Sequence, residues 1–182
     1  MRIHRLGLLV FTVTTFADEP RLPRPDQVDK PENIKFIVLD KSKLPGIVVD
    51  NTEAKLVGQW KHSVHTPPFV GVSYIHDMKE EKGEKSATFT PELLRSGWYE
   101  VRVSHNSNIR RANGVPITIR HANGETFMKI NEGDPAPIKK LFRSLGKFEF
   151  KKGRAGSVTI RTTGTEGKYV IVDAVQFIPL KK

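Results

Sequence analysis

Polar and apolar positions alternate most regularly over Tyr99-Glu100-Val101-Arg102-Val103-Ser104-His105 and over Val158-Thr159-Ile160-Arg161. A period of two marks a strand with one face on a core and the other in water. Shorter runs of the same character are Ile47-Val48-Val49, Phe69 to Ile75, Ala87 to Thr90, Val115 to His121, Thr126 to Ile130, Lys147 to Phe150 and Tyr169 to Phe177. Turn residues separate them: Asn123-Gly124 is a two-residue hairpin signal, and Gly153, Gly156, Gly164 and Gly167 punctuate the C-terminal runs. Helix is invited only over Thr52 to Val57, ended by Gly58, and in a single turn over Glu92 to Arg95. Roughly nine short strands with little helix predict an all-β fold, an antiparallel β-sandwich of jelly-roll type.

The first residues follow another pattern. A basic head, Met1 to Arg5, precedes an apolar run from Leu6 to Phe16, and small residues at Thr15 and Ala17 stand before a polar stretch. This predicts a signal peptide over residues 1–17 and an exported chain: secreted, periplasmic or at the cell surface. A spanning helix needs about 20 apolar residues, so the run does not predict one. Residues 18–45 carry Pro20, Pro23, Pro25, Pro31 and Pro45 among charges and are expected to form an extended tether. Within it, Ile34 to Leu39 is apolar enough for an edge strand or a segment packed on the domain, and the sequence does not choose between them. The folded domain is expected over residues 46–180.

Composition narrows the partners. The chain has 182 residues, a net charge of +10 and no cysteine, so the domain holds together without disulfides and has no thiol chemistry. The charge favours anionic partners. The basic residues are dispersed along strands and turns, with no helix-turn-helix, zinc-finger or RNA-binding signature, which argues against nucleic acid.

Two polar segments at strand ends carry the candidate chemistry. Tyr74, His76 and Asp77 end one run. Asn106, Arg110, Arg111 and Asn113 follow the most regular strand and are rich in donors for hydroxyls and carboxylates. Loops at one end of a sandwich cluster in space, so these residues are the expected ligand-binding set, with Tyr74 or Trp60 as a stacking surface. No catalytic residues are assigned: the histidines show no zinc-protease spacing, and no Gly-x-Ser-x-Gly, phosphate loop or dinucleotide fingerprint is present. No cofactor is expected. Asp50 is read as the cap of the turn at Thr52 and Asp173 as a hydrogen-bond partner of a neighbouring strand, in preference to a structural calcium ion shared by the two.

The motifs, taken in order, resemble a known family. Leu44-Pro45-Gly46-Ile47-Val48-Val49-Asp50, Gly58-Gln59-Trp60, Tyr74-Ile75-His76-Asp77, Phe89-Thr90-Pro91, Gly97-Trp98-Tyr99-Glu100-Val101-Arg102, Arg111-Ala112-Asn113 and Asp173-Ala174-Val175-Gln176-Phe177 look like the golvesin C-terminal-like domain, also called the xanthan-lyase carbohydrate-binding-like domain. The resemblance covers about Leu44 to Leu180. It implies a β-sandwich accessory module of extracellular polysaccharide-degrading enzymes and a non-catalytic role in binding polysaccharide. An acidic glycan is favoured because of the positive charge. The alternatives are a polysaccharide lyase or hydrolase, and a cell-surface protein-interaction module.

Overall fold

The computed structural model describes residues 38–181. The expected signal peptide and all of the expected tether before Val38 lie outside them. The described chain is all-β and built on two facing sheets. One contains, in spatial order, β10 (Gly124–Ile130), β9 (Val115–His121), β12 (Ser157–Arg161), β7 (Ser86–Phe89) and β3 (Lys55–Val57). The other contains β11 (Phe142–Phe150), β8 (Gly97–Ser104), β14 (Ala174–Pro179) and β2 (Ile47–Asp50). Every pairing within these two sheets is antiparallel. Successive strands β7, β8 and β9 alternate between the sheets, as do β10, β11 and β12, so the two sheets are locked by chain crossings as well as by their core.

That core is what the alternation specified. Tyr99, Val101 and Val103 of β8 face Val115, Ile117 and Ile119 of β9 and Val158 and Ile160 of β12, all buried in one cluster. Phe150 is its centre, meeting Tyr99 edge-on at 5.9 Å and Phe177 edge-on at 5.6 Å between ring centroids. Gly156 closes over this ring: a Cβ there would lie 2.4 Å from Phe150 Cδ1, so only glycine fits without displacing the cluster.

The long apolar runs break where the sequence showed no break. The run expected over Phe69 to Ile75 is two strands, β5 (Phe69–Val70) and β6 (Tyr74–His76), divided at Gly71, whose φ is +67°. A Cβ at Gly71 would come within 2.6 Å of Asp50 Oδ2. The run expected over Tyr169 to Phe177 is likewise two strands. β13 (Ile171–Val172) pairs with β6 in a small sheet whose other edge is β4 (Lys61–Ser63), and β14 joins the four-stranded sheet. Asp173 is the hinge residue between them. The helix expected over Thr52 to Val57 is instead a short 3₁₀ turn, Asn51–Glu53, followed by the edge strand β3. Asp50 caps that turn: its carboxylate accepts from Thr52 N, and Glu53 accepts in return from Asp50 N, a full capping box. No helix forms at Glu92 to Arg95; Leu93 bridges to Gly153. The hairpin between β9 and β10 turns through Ala122 and Asn123, because Gly124 already pairs with His121.

The folded unit also begins earlier than Gly46. β1 (Val38–Leu39) runs parallel to β5, Leu39 and Leu44 pack on the buried cluster of Val70, Leu141, Phe142 and Ala174, and Gln176 Nε2 donates to the Pro45 carbonyl at 2.8 Å. Residues 38–45, expected in the tether, therefore lie on the domain.

Asp173 has no exposure to solvent. Its two oxygens accept from Val70 N at 3.1 Å each, and Ser104 Oγ donates to it. Burial pushes its pKa up to about 8, and the nearby Asp50 carboxylate adds to the rise, against these hydrogen bonds. The folded chain thus holds a proton there that the unfolded chain, with an ordinary carboxyl near pH 4, has already released. The stability contributed by this group is complete at low pH and is lost as the pH rises toward 8. Asp173→Asn, which imitates the protonated acid, is expected to keep its melting temperature near wild type at pH 5 and to flatten the decline between pH 5 and 8, measured by thermal denaturation across that range.

Candidate functional site

The ends of β6 and β8 and the segment leading into β13 meet at one end of the sandwich, and their loops carry most of the expected site. His76 ends β6, Asp77 follows it, and Asn106 and Arg111 come from the loop after β8. His76 and Arg111 share a neighbour in Tyr169, a residue outside the expected set. Tyr169 N donates to the Arg110 carbonyl at 3.0 Å and Ala112 N donates to the Tyr169 carbonyl at 2.9 Å, so the ring is fixed beside the arginine loop by a short parallel bridge. His76 meets the Tyr169 ring edge-on at 5.2 Å. Lys79 Nζ stands 4.7 Å from the ring centroid and Arg111 Cζ 5.7 Å from it, both in cation–π range.

Arg111 is nearly buried. Its Nη2 donates to Asn106 Oδ1 at 2.9 Å and to Thr66 Oγ1 at 3.3 Å, while Nε has no partner. Asn106 Nδ2 is also buried and unpartnered. A guanidinium stays charged at any accessible pH, so burying it without an ion-paired carboxylate is costly unless an anion completes the site. Among the described residues no salt bridge engages Lys79, Arg110, Arg111 or Lys168. Arg110 and Asn113 are exposed at the rim of the loop.

The floor of the site is polar and tightly bonded. Asp77 is fully buried; Oδ1 accepts from Val170 N at 3.0 Å and from Lys79 N at 3.2 Å, and Oδ2 pairs with Lys82. Lys82 Nζ donates further to Thr165 Oγ1 and to the Lys168 carbonyl, tying the Asp77 loop to the Tyr169 segment. Buried Lys85 donates to the Asp77 carbonyl at 2.9 Å. Glu132, equally buried, accepts from Ile171 N at 2.8 Å, and its other oxygen has no partner. Burial pushes its carboxyl well above the usual range, although the adjacent Arg111 and the bond from Ile171 pull it down. Burial also lowers His76, despite the opposing pull of Asp77, and brings His105 down to about 4, with Arg143 adding to the drop. Both imidazoles are therefore neutral at pH 7.

Of the expected residues, His76, Asp77, Asn106 and Arg111 are brought together, and Arg110 and Asn113 flank them. Tyr74 is buried beneath the loop: its ring packs on Phe69 and its hydroxyl accepts from Ser63 Oγ. Trp60 lies half-buried against the core, with Nε1 donating to the Val57 carbonyl at 2.9 Å. Neither offers a stacking face at this end. Tyr169, Lys79, Lys82 and Glu132 were missing from the expected set. Among the described residues no group of three or more His, Asp or Glu side chains is placed to hold a metal ion.

The fold defines the class: an antiparallel β-sandwich of the carbohydrate-binding-module type. A family 35 carbohydrate-binding module from Paenibacillus barcinonensis superposes with a TM-score of 0.55 at 13% identity, covering 74% of this chain and 100% of that one. One from Clostridium thermocellum gives 0.52 at 10% identity, covering 73% and 97%. Within that class, residues 47–179 match the Golvesin C-terminal domain, and the chain belongs to that family. It is 36% identical over 141 residues to a xanthan lyase from Bacillus sp. (strain GL1), a stretch covering 75% of this chain and 15% of the lyase. The solved structure of a Paenibacillus xanthan lyase superposes with a TM-score of 0.70 at 33% identity, covering 74% of this chain and 13% of that protein. The chain thus corresponds to a small part of the lyases it matches.

Removing the Asp77 carboxylate leaves Lys82 without its ion-pair partner in a buried setting and orphans the Val170 and Lys79 amides. Asp77→Ala is expected to cost about 3–5 kcal/mol of folding stability, read by urea denaturation; a cost below about 1 kcal/mol would mean that the pair is solvated.

Proposed function

We propose that this chain is an exported, non-catalytic module that binds acidic polysaccharide at the loop end around Tyr169. The observation that carries the reading is Arg111, a permanently charged and nearly buried guanidinium with an unpartnered Nε, set against an aromatic ring with Lys79 beside it. A uronate carboxylate supplies the missing anion, and the exposed Arg110 and Asn113 supply donors for ring hydroxyls. The kinship with xanthan lyases supports a polysaccharide as the ligand class. Export rests on residues 1–17, whose basic head and apolar run read as a signal peptide.

Tyr169 with its flanking cations is the centre of the site, and His76 and Asp77 hold it from below. Exposed cation–carboxylate contacts are weakened by salt, so affinity is expected to fall as ionic strength rises.

The test is affinity electrophoresis in gels containing xanthan or polygalacturonate, with an uncharged mannan gel as control. Wild type is expected to be retarded in the acidic gels and less so at high salt. Arg111→Lys keeps the charge and loses the planar fork, and combined with Lys79→Ala it should weaken retention about tenfold, the equivalent of about 1.4 kcal/mol. Equal migration of wild type and the double variant, or growth of unsaturated-uronate absorbance when the pure protein meets these polymers, would overturn the proposal.

A further inference from the structure

A second aromatic surface lies at the opposite end of β8. Trp98 is 53% exposed although β8 lies between β11 and β14, where both strand edges are already paired. It points away from the core, as do Glu100 and Arg102 in the alternation of this strand, while Tyr99, Val101 and Val103 fill the interior. An exposed indole on an inner strand leaves a large apolar face in water with no neighbour to cover it.

The surroundings form a groove of about 830 Å³, walled by Arg95, Ser96, Glu149, Leu180 and Lys181 with Trp98 within it. That volume falls in the range of small-molecule sites. The walls are held from behind by bonds that leave the groove itself open. Tyr99 Oη donates to the Arg95 carbonyl at 2.7 Å, Ser96 Oγ accepts from Lys152 N at 2.8 Å, and Leu180 N donates to the Trp98 carbonyl at 2.9 Å. Leu93 and Gly153 exchange backbone bonds at 3.0 and 2.8 Å just outside. The loop before Trp98 is thus braced on the loop after β11, and the groove exists without a ligand.

We infer that this groove is a second glycan-binding site, taking a pyranose ring of a uronic-acid polymer on the Trp98 indole. A pyranose has an apolar face of C–H groups and a rim of hydroxyls. The groove matches both, with an aromatic surface and, at its edge, donors from Arg95, Ser96 and Lys181 and an acceptor in Glu149. Charge complementarity selects the acidic polymer: Arg95 and Lys181 have no ion-pair partner among the described residues, against the single carboxylate of Glu149. The inference rests on the reading of the module as a glycan binder, but its residues are separate from that site. From Trp98 to Asn106 the chain runs eight residues of nearly continuous strand, about 26 Å at strand rise. One long polymer bound at both ends would gain avidity that neither site has alone.

The chain has two tryptophans, Trp60 and Trp98, so Trp60→Phe leaves Trp98 as the sole indole reporter. Titration of that variant with oligogalacturonate is expected to give a saturable change in Trp98 emission, and calorimetry on the wild type should count two sites per chain. Trp98→Ala, at an exposed position, should keep the melting temperature, remove one site and weaken retention by polygalacturonate about tenfold. Arg111→Lys with Lys79→Ala should instead remove the other site and leave the Trp98 response intact. Unmoved Trp98 emission while the chain still binds through the Arg111 site would overturn the second site alone. Loss of binding in every arm would overturn both. Emission that shifts with protein concentration, together with dimers in sedimentation, would show that Trp98 serves contact between copies and would also overturn it.

Discussion

Buried carboxyl groups that accept backbone N–H groups hold the loop end around Tyr169 together. Where the small sheet of β4, β6 and β13 stops, the 170–173 segment has no further strand to satisfy it. Side chains do so instead: Asp77 takes the Val170 amide and Glu132 the Ile171 amide, while Asp173, within the segment, takes the Val70 amide. Each unpaired buried amide would otherwise cost about 1–3 kcal/mol. A carboxylate can stand in for a strand because it offers several acceptor positions in a small volume, but it must be desolvated to do so. The raised pKa values of Asp173 and Glu132 are the signature of that cost.

This arrangement cross-links the loops around Tyr169. Asp77 and Lys82 connect the loop after β6 to Thr165 and Lys168, and Arg110 and Ala112 connect the loop after β8 to Tyr169. Three segments distant in sequence are thereby fixed around one ring before any ligand arrives. Pre-organisation of this kind removes much of the ordering cost of binding. At this end Arg111 and Lys79 have no ion-pair partner among the described residues, while Lys82 and Lys85 are spent on internal bonds.

The sandwich was legible because its core strands obey strict alternation: Tyr99, Val101 and Val103 could point only one way. Continuous apolar runs were less informative. In Tyr169 to Phe177 every residue from Val170 is buried, so no periodicity marks the change of sheet, and Asp173, the charged residue within the run, was its visible sign. The edge strand Lys55–Val57 was missed for the opposite reason, being exposed throughout and lacking a buried face. In the site, His76, Asp77, Asn106 and Arg111 could be found as polar residues at strand ends. Tyr169 could not, since it read as the start of a strand. Glu132 follows a strand beside Gly133, with nothing local to mark it as buried; its burial follows from the tertiary position of the 170–173 segment. Tyr74 read as a stacking surface because the alternation does not reveal that β6 is covered on both faces.

The most direct test of the central claim is an NMR titration of the isotopically labelled chain with oligogalacturonate, following backbone amides and the Arg Nε–H signals. Binding at the loop end predicts progressive shifts confined, at that end, to residues 76–83, 105–113 and 165–170, with the Arg111 Nε–H resonance moving downfield as it gains a carboxylate partner. Saturation of the titration with those segments and that resonance unmoved would contradict it.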